Sequence, residues 1–334
     1  MNKPKIDKEM VETIFEFLTR IERVFNVTIM FAVESGSRAW GFESQDSDYD
    51  IRFVYIERAE YYMGLPIRKP NLPIEEVIAR GLPLRAENDK LRLRDLRSHP
   101  EFHDLPELLD FDGWEFRKAA GYASIGKPVL LEWLNSPVCY MERVIRGPHS
   151  FLTREFFIEH AAQFVTPSRL LDHYAGQVLQ MVLELKSRPD FRPLKKILYA
   201  LRCIGAHGWV LENYGKLPKL EGTTIDGVPK QLIQIEFDQL RPSLLNALKR
   251  EGLAVDEFDS YVTELLSLKQ SGDESQGDLE SPLLNTLLTI VRAWKPKERL
   301  EDYVRWTATD EEELRSRFSN QVTRLLQYHV GRRQ

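Results

Sequence analysis

The sequence predicts an α+β fold: a short mixed sheet backed by helices in an N-terminal domain, followed by an all-helical C-terminal domain. Three observations carry this. Apolar, β-branched runs at residues 27–33 and 51–56, and a third apolar run at 105–111, read as strands. A helical spacing precedes them, at Met10, Ile14, Phe17, Leu18, Ile21, Val24 and Phe25, with Asp7 as its N-cap. After Gly147-Pro148 the pattern becomes wholly helical, which places the domains at 1–150 and 151–334.

The totals agree. At 334 residues the chain exceeds one small core. A 43% hydrophobic, 29% charged composition is that of a globular protein and not of a disordered one. No apolar run approaches the length of a membrane span, and the N-terminus leads into a polar helix and not a signal core. Cys139 and Cys203 are too few for a disulfide framework or a zinc site, so the expected location is cytoplasmic. A net charge of −5 argues against a nonspecific nucleic-acid coat but leaves room for a local basic groove.

The first two strands frame the chemistry. Residues 27–34 end at Ser35-Gly36, where a side chain would block close approach of the backbone to a phosphate. Ser37 and Arg38 then open a short helical turn whose free N–H groups favour an anion. Asp48 and Asp50 enter the next strand on the same side, with β-carbons roughly 7 Å apart. Two carboxylates so placed repel by a few kcal/mol at an effective dielectric of about 20. A divalent, oxygen-seeking cation, Mg²⁺ or Mn²⁺ in its place, removes that cost. Asp46 reads as a solvated cap ahead of the strand.

Gly36-Ser37, ten further residues, then Asp48-Tyr49-Asp50 resembles the signature of the DNA polymerase β nucleotidyltransferase superfamily. The fuller string from Gly36 to Ser44, with Asp48-Tyr49-Asp50-Ile51-Arg52, resembles one branch, the RNA repair pathway DNA polymerase β family. The resemblance implies a polymerase β-like nucleotidyltransferase domain with a third acid on a neighbouring strand. The family pattern falls on Asp110-Phe111-Asp112-Gly113-Trp114-Glu115-Phe116-Arg117-Lys118, which registers Asp110 as that acid and leaves Asp112 as second choice. Asp112-Gly113 then reads as the start of a helix over 114–124, with Asp112 near its cap. An apolar stretch at 129–134 follows, with Trp133 in the core.

Between them, residues 57–103 lose periodicity and gain prolines and many cations, among them Arg68, Arg92, Arg94 and Arg97. Short helices are expected at 74–80 and 91–96, and the stretch reads either as a flap over a polyanion or as a solvated excursion. In the second domain, Thr166-Pro167 starts one helix and Arg192-Pro193 another, which Gly215 stops. On the latter, Lys195, Tyr199 and Arg202 lie within roughly 60° of one another, with Lys196 at the margin. That stripe suits triphosphate and base contact, or else is a solvated face. His173 and His207 show no metal-ligand spacing. Residues 271–278 read as a polar loop, 282–294 and 310–330 as helices, and 331–334 as a frayed tail.

The resemblance implies nucleotidyl transfer from a nucleoside triphosphate bound in a cleft between the domains. Asp48, Asp50 and Asp110 would serve as catalytic acids and metal ligands. Gly36, Ser37, Arg38, Lys195, Lys196, Tyr199 and Arg202 would contact the nucleotide. The implied acceptor is an RNA or tRNA 3′ end. Nucleotidylation of a protein or small molecule is the alternative. A nucleotide sensor without turnover has no need of three acids.

Overall fold

The structure, a computed structural model, describes residues 6–58, 90–92, 96–145, 151–187, 194–213, 232–250, 252 and 254–272. The helices expected at 74–80, 282–294 and 310–330 and the tail lie outside them, as do most of the cations of 57–103 and most of the polar loop at 271–278.

Helix α1 (Lys8–Phe25) begins where the Asp7 carboxylate accepts the Glu9 N–H and ends at Asn26, which takes the left-handed conformation. It leads into β1 (Thr28–Ser35), the short helix α2 (Gly36–Trp40) and β2 (Tyr49–Ile56). The brief β3 (Lys90–Arg92) and β4 (Leu109–Glu115) follow. Next come α3 (Phe116–Ala123), α4 (Pro128–Leu134) and β5 (Cys139–Glu142).

The five strands stand in the order β3-β4-β2-β1-β5, with β2 and β4 parallel and the other pairs antiparallel, so the sheet is mixed as expected. Alternation along the strands sorts the side chains. Tyr49, Ile51, Phe53, Tyr55, Leu109 and Phe111 pack on Ile14, Phe17, Leu18, Ile21 and Phe25 of α1. Burying each large apolar side chain there is worth about 1.5–3 kcal/mol, which holds α1 to the sheet. The opposite face carries Asp50, Arg52, Asp110 and Asp112, followed by the buried Val54, Ile56 and Trp114.

Two boundaries differ from expectation. β4 runs to Glu115, through Asp112 and Gly113, and the helix starts at Phe116 with Glu115 as its cap. Asp112 is therefore a strand residue and caps nothing. The cause is long-range: Gly113, Trp114 and Glu115 continue the ladder beside Phe53, Val54 and Tyr55, and the Trp114 ring lies 3.9 Å from that of buried Trp133. Likewise residues 91 and 92, expected in a helix, belong to β3, which pairs with the edge of β4.

A hairpin of β6 (Val144–Ile145) and β7 (Phe151–Leu152) leads to α5 (Thr153–Ala162). The helical half contains α6 (Pro167–Ser187), α7 (Leu194–Asn213), α8 (Phe237–Arg250) and α9 (Val255–Gln270). α7 and α8 approach closely because Gly208 has no side chain: a β-carbon there would lie 2.6 Å from the Ser243 carbonyl oxygen. By its contacts the chain forms two compact units. Among the described residues, one holds those up to Gly36 and from Asp48 to Phe164. The other joins the segment Ser37–Ser47 to the helices from Val165 onward.

Candidate active site

The parallel pairing of β2 with β4 sets Asp50 directly beside Asp110 and Arg52 beside Asp112. Of the two acids weighed from the sequence, Asp110 is the one opposite Asp50. Arg52 closes the arrangement. Its Nη2 donates to Asp50 Oδ1 at 2.7 Å and to Asp110 Oδ2 at 2.9 Å, and its Nη1 donates to the Asp110 carbonyl at 3.2 Å. The Arg52 side chain is 16% exposed, that of Asp50 20% and that of Asp110 41%. Burial works against the guanidinium charge, but Asp50, Asp110 and Asp112 outweigh it and hold its pKa above the ordinary arginine value. Asp48 is exposed just ahead of β2.

The Asp50 backbone is fixed from behind. Its N–H donates at 2.8 Å to Glu34 Oε1, and the other oxygen of the fully buried Glu34 accepts the Tyr140 hydroxyl. Ser136 donates to the Glu34 carbonyl at 2.6 Å. Gly36 is needed for a reason the sequence did not show. Its φ of +65° suits glycine, and a β-carbon there would fall 2.0 Å from Asp50 Oδ2. Arg52, Glu34 and Tyr140 had no role in the sequence reading, although Arg52 stands two residues beyond Asp50 on the same strand face.

The second unit holds the other expected residues. Ser37 and Arg38 are buried. The Arg38 Nε and Nη2 donate to the Ser47 carbonyl at 3.2 and 2.7 Å, so this arginine, expected at a phosphate, clasps the 38–47 loop. Asp46 in that loop is exposed, and hydrogen bonding to Ser44 holds its carboxyl below the usual range. On α7 the stripe is real but unevenly exposed. Lys195 Nζ stands 5.8 Å from the Tyr199 ring centre, and Tyr199 meets Trp40 edge-on at 4.7 Å. Arg202 is 2% exposed; its guanidinium lies 4.0 Å over Trp40 and its Nε donates to the Ile235 carbonyl at 3.1 Å. Arg202, expected to contact the nucleotide, is thus buried within the helical unit. Lys196 leans away to pair with Glu184 of α6.

Asp50 and Asp110 fit a divalent cation. They offer hard oxygen donors, they are register partners, and both already reach a single cationic nitrogen. Asp48 is not drawn in with them: among the described residues no three His, Cys, Asp or Glu side chains are grouped to hold a metal. No helix among those residues is long and apolar enough to cross a membrane.

A mixed sheet with a Gly-Ser turn after β1 and register-paired aspartates on β2 and β4 is the polymerase β-like arrangement that the sequence resembles. The chain belongs to the RNA repair pathway DNA polymerase beta family, whose model matches residues 10–230. That family name points to a nucleotidyltransferase of RNA repair. The chain is also 30% identical over 297 residues to the uncharacterized protein YcgL of Bacillus subtilis (strain 168), covering 86% of this chain and 98% of that protein.

Proposed function

We propose that this protein is a metal-dependent nucleotidyltransferase that moves a nucleoside monophosphate from a triphosphate onto the 3′ hydroxyl of an RNA. The observation that carries the reading is the register pairing of Asp50 with Asp110 around one shared cation position. In this reading Asp50 and Asp110 hold Mg²⁺ or Mn²⁺, with Asp48 as the neighbouring acid. When bound, the cation neutralises charge on the triphosphate and fixes its phosphates in line. The Asp110 carboxylate accepts the proton of the attacking hydroxyl. The new oxygen–phosphorus bond forms at the α-phosphate while the bond to the β-phosphate oxygen breaks, and pyrophosphate leaves. Glu34 keeps the Asp50 backbone from shifting as charge develops. Gly36-Ser37, Lys195 and Tyr199 are the residues we assign to the nucleotide. Arg38, Lys196 and Arg202, each engaged elsewhere within the protein, take supporting places.

The RNA acceptor rests on the family name. The test is incubation with α-labelled triphosphates, Mg²⁺ or Mn²⁺ and total RNA or lysate, beside the Asp50→Asn variant. Label in RNA, lost in the variant and at raised salt, supports the reading. Label in protein instead would move the acceptor to a polypeptide. Nucleotide binding without any label would leave a sensor.

A further inference from the structure

Arg52 occupies the place a cation takes. One nitrogen of its guanidinium meets both Asp50 and Asp110, the two carboxylates that stand opposite in the parallel ladder. We propose that Arg52 is an internal counter-cation that holds Asp50 and Asp110 together in the metal-free protein and gives way to a divalent ion. The inference rests on the metal-dependent reading above. A guanidinium and a divalent ion held by the same two carboxylates repel one another, so the entry of one drives off the other. The displaced guanidinium has somewhere to go. Asp112 is the register partner of Arg52 and shares its sheet face. Asp112, which caps no helix, thus receives a role as the second carboxylate of an exchange: Arg52 turns from Asp50 and Asp110 toward Asp112 as the metal enters.

The exchange makes opposite predictions for two neighbouring residues. Mn²⁺ binding is measured by electron paramagnetic resonance of the free ion, on the full chain with no nucleotide. Arg52→Met should bind Mn²⁺ at least about tenfold more tightly than the wild type, about 1.4 kcal/mol. Asp112→Asn should bind about threefold or more weakly. In the double variant the Asp112 change should have no further effect, since Asp112 acts through Arg52. Arg52→Lys, which keeps a charge but loses the planar fork, should fall between wild type and Arg52→Met. Should metal-free Arg52→Met fold poorly, its melting temperature should rise more on Mn²⁺ addition than that of the wild type.

An Arg52→Met affinity equal to or below the wild-type value would overturn the exchange while leaving the metal site standing. An Asp112→Asn loss that persists in the double variant would make Asp112 a direct ligand and also overturn it. Failure of every variant to bind Mn²⁺, with or without nucleotide, would remove the metal-dependent reading and this inference together.

Discussion

Arg52 and Arg202 are both largely withdrawn from water, yet their surroundings differ in kind. Arg52 lies between two carboxylates on a sheet face that remains partly open, and its side chain is 16% exposed. Arg202 is 2% exposed, laid over the Trp40 ring, with its Nε on a backbone carbonyl. Carboxylates are hard anionic donors that accept a divalent cation in exchange; an indole face and a backbone carbonyl carry no net charge to draw one in. On the proposed reading, placement by carboxylates makes Arg52 a replaceable part of the site, whereas the ring and carbonyl beside Arg202 tie it into the helical unit. The same residue type serves chemistry in one region and architecture in the other, and the partner decides which.

The comparison can be broken most directly at the carboxylates. Asp50→Asn and Asp110→Asn are each expected to lower labelled-nucleotide transfer by at least about a thousandfold while circular dichroism shows an intact fold. Asp112→Asn should cost far less. A ranking with Asp112 above Asp110 would place the reactive acid one pleat along β4.

Arg202→Met should act on folding instead. Loss of the hydrogen bond to Ile235 and of the ring contact predicts about 2–4 kcal/mol of lost stability in urea denaturation. If nucleotide affinity falls by more than stability, Arg202 is a ligand and the contrast with Arg52 collapses.

His207, also on α7, sharpens the point with a titration. Burial pushes its imidazole down to about 4, with the charge of Arg250 adding to the effect. The folded protein therefore binds its proton less readily than the unfolded chain, whose histidine titrates near the ordinary 6.5. Stability contributed by the neutral ring is full above pH 6.5 and is lost as pH falls from there toward about 4. The loss is on the order of 3 kcal/mol. Denaturation midpoints across this window should slope less in His207→Gln than in the wild type.

The smallest effect is expected at Lys196. Its partner Glu184 is 42% exposed and its own side chain 43%, so water screens the pair. Lys196→Met should change stability by under about 1 kcal/mol and leave nucleotide affinity nearly unchanged, while Lys195→Met weakens it. Equal losses in both would show that Lys196 leaves Glu184 for a phosphate.

Local pattern was enough for several of these features. The β-branched runs at 27–33 and 51–56 became β1 and β2 because short, continuous apolar runs of that kind suit a buried strand. Asp7 and Thr166-Pro167 marked helix starts because capping satisfies backbone groups within a few residues. The strand-face position of Asp50, and the angular grouping of Lys195, Tyr199 and Arg202, follow from strand and helix periods alone, whereas Asp48, expected on the same strand, lies just ahead of it. What tertiary structure decided are the features whose cause lies far along the chain. β4 continues through Asp112 because residues 53–55 extend the ladder and Trp133 receives Trp114. Three residues at 90–92 make a strand because β4 offers an open edge. Gly36 must be glycine because the Asp50 carboxylate fills the space beside it. The partners of Arg52, Arg38 and Arg202 are likewise beyond periodicity, which places a guanidinium on a face but cannot name what it meets there. Strand and helix periods are local properties of the backbone; the pairing of charges depends on which residues folding brings together.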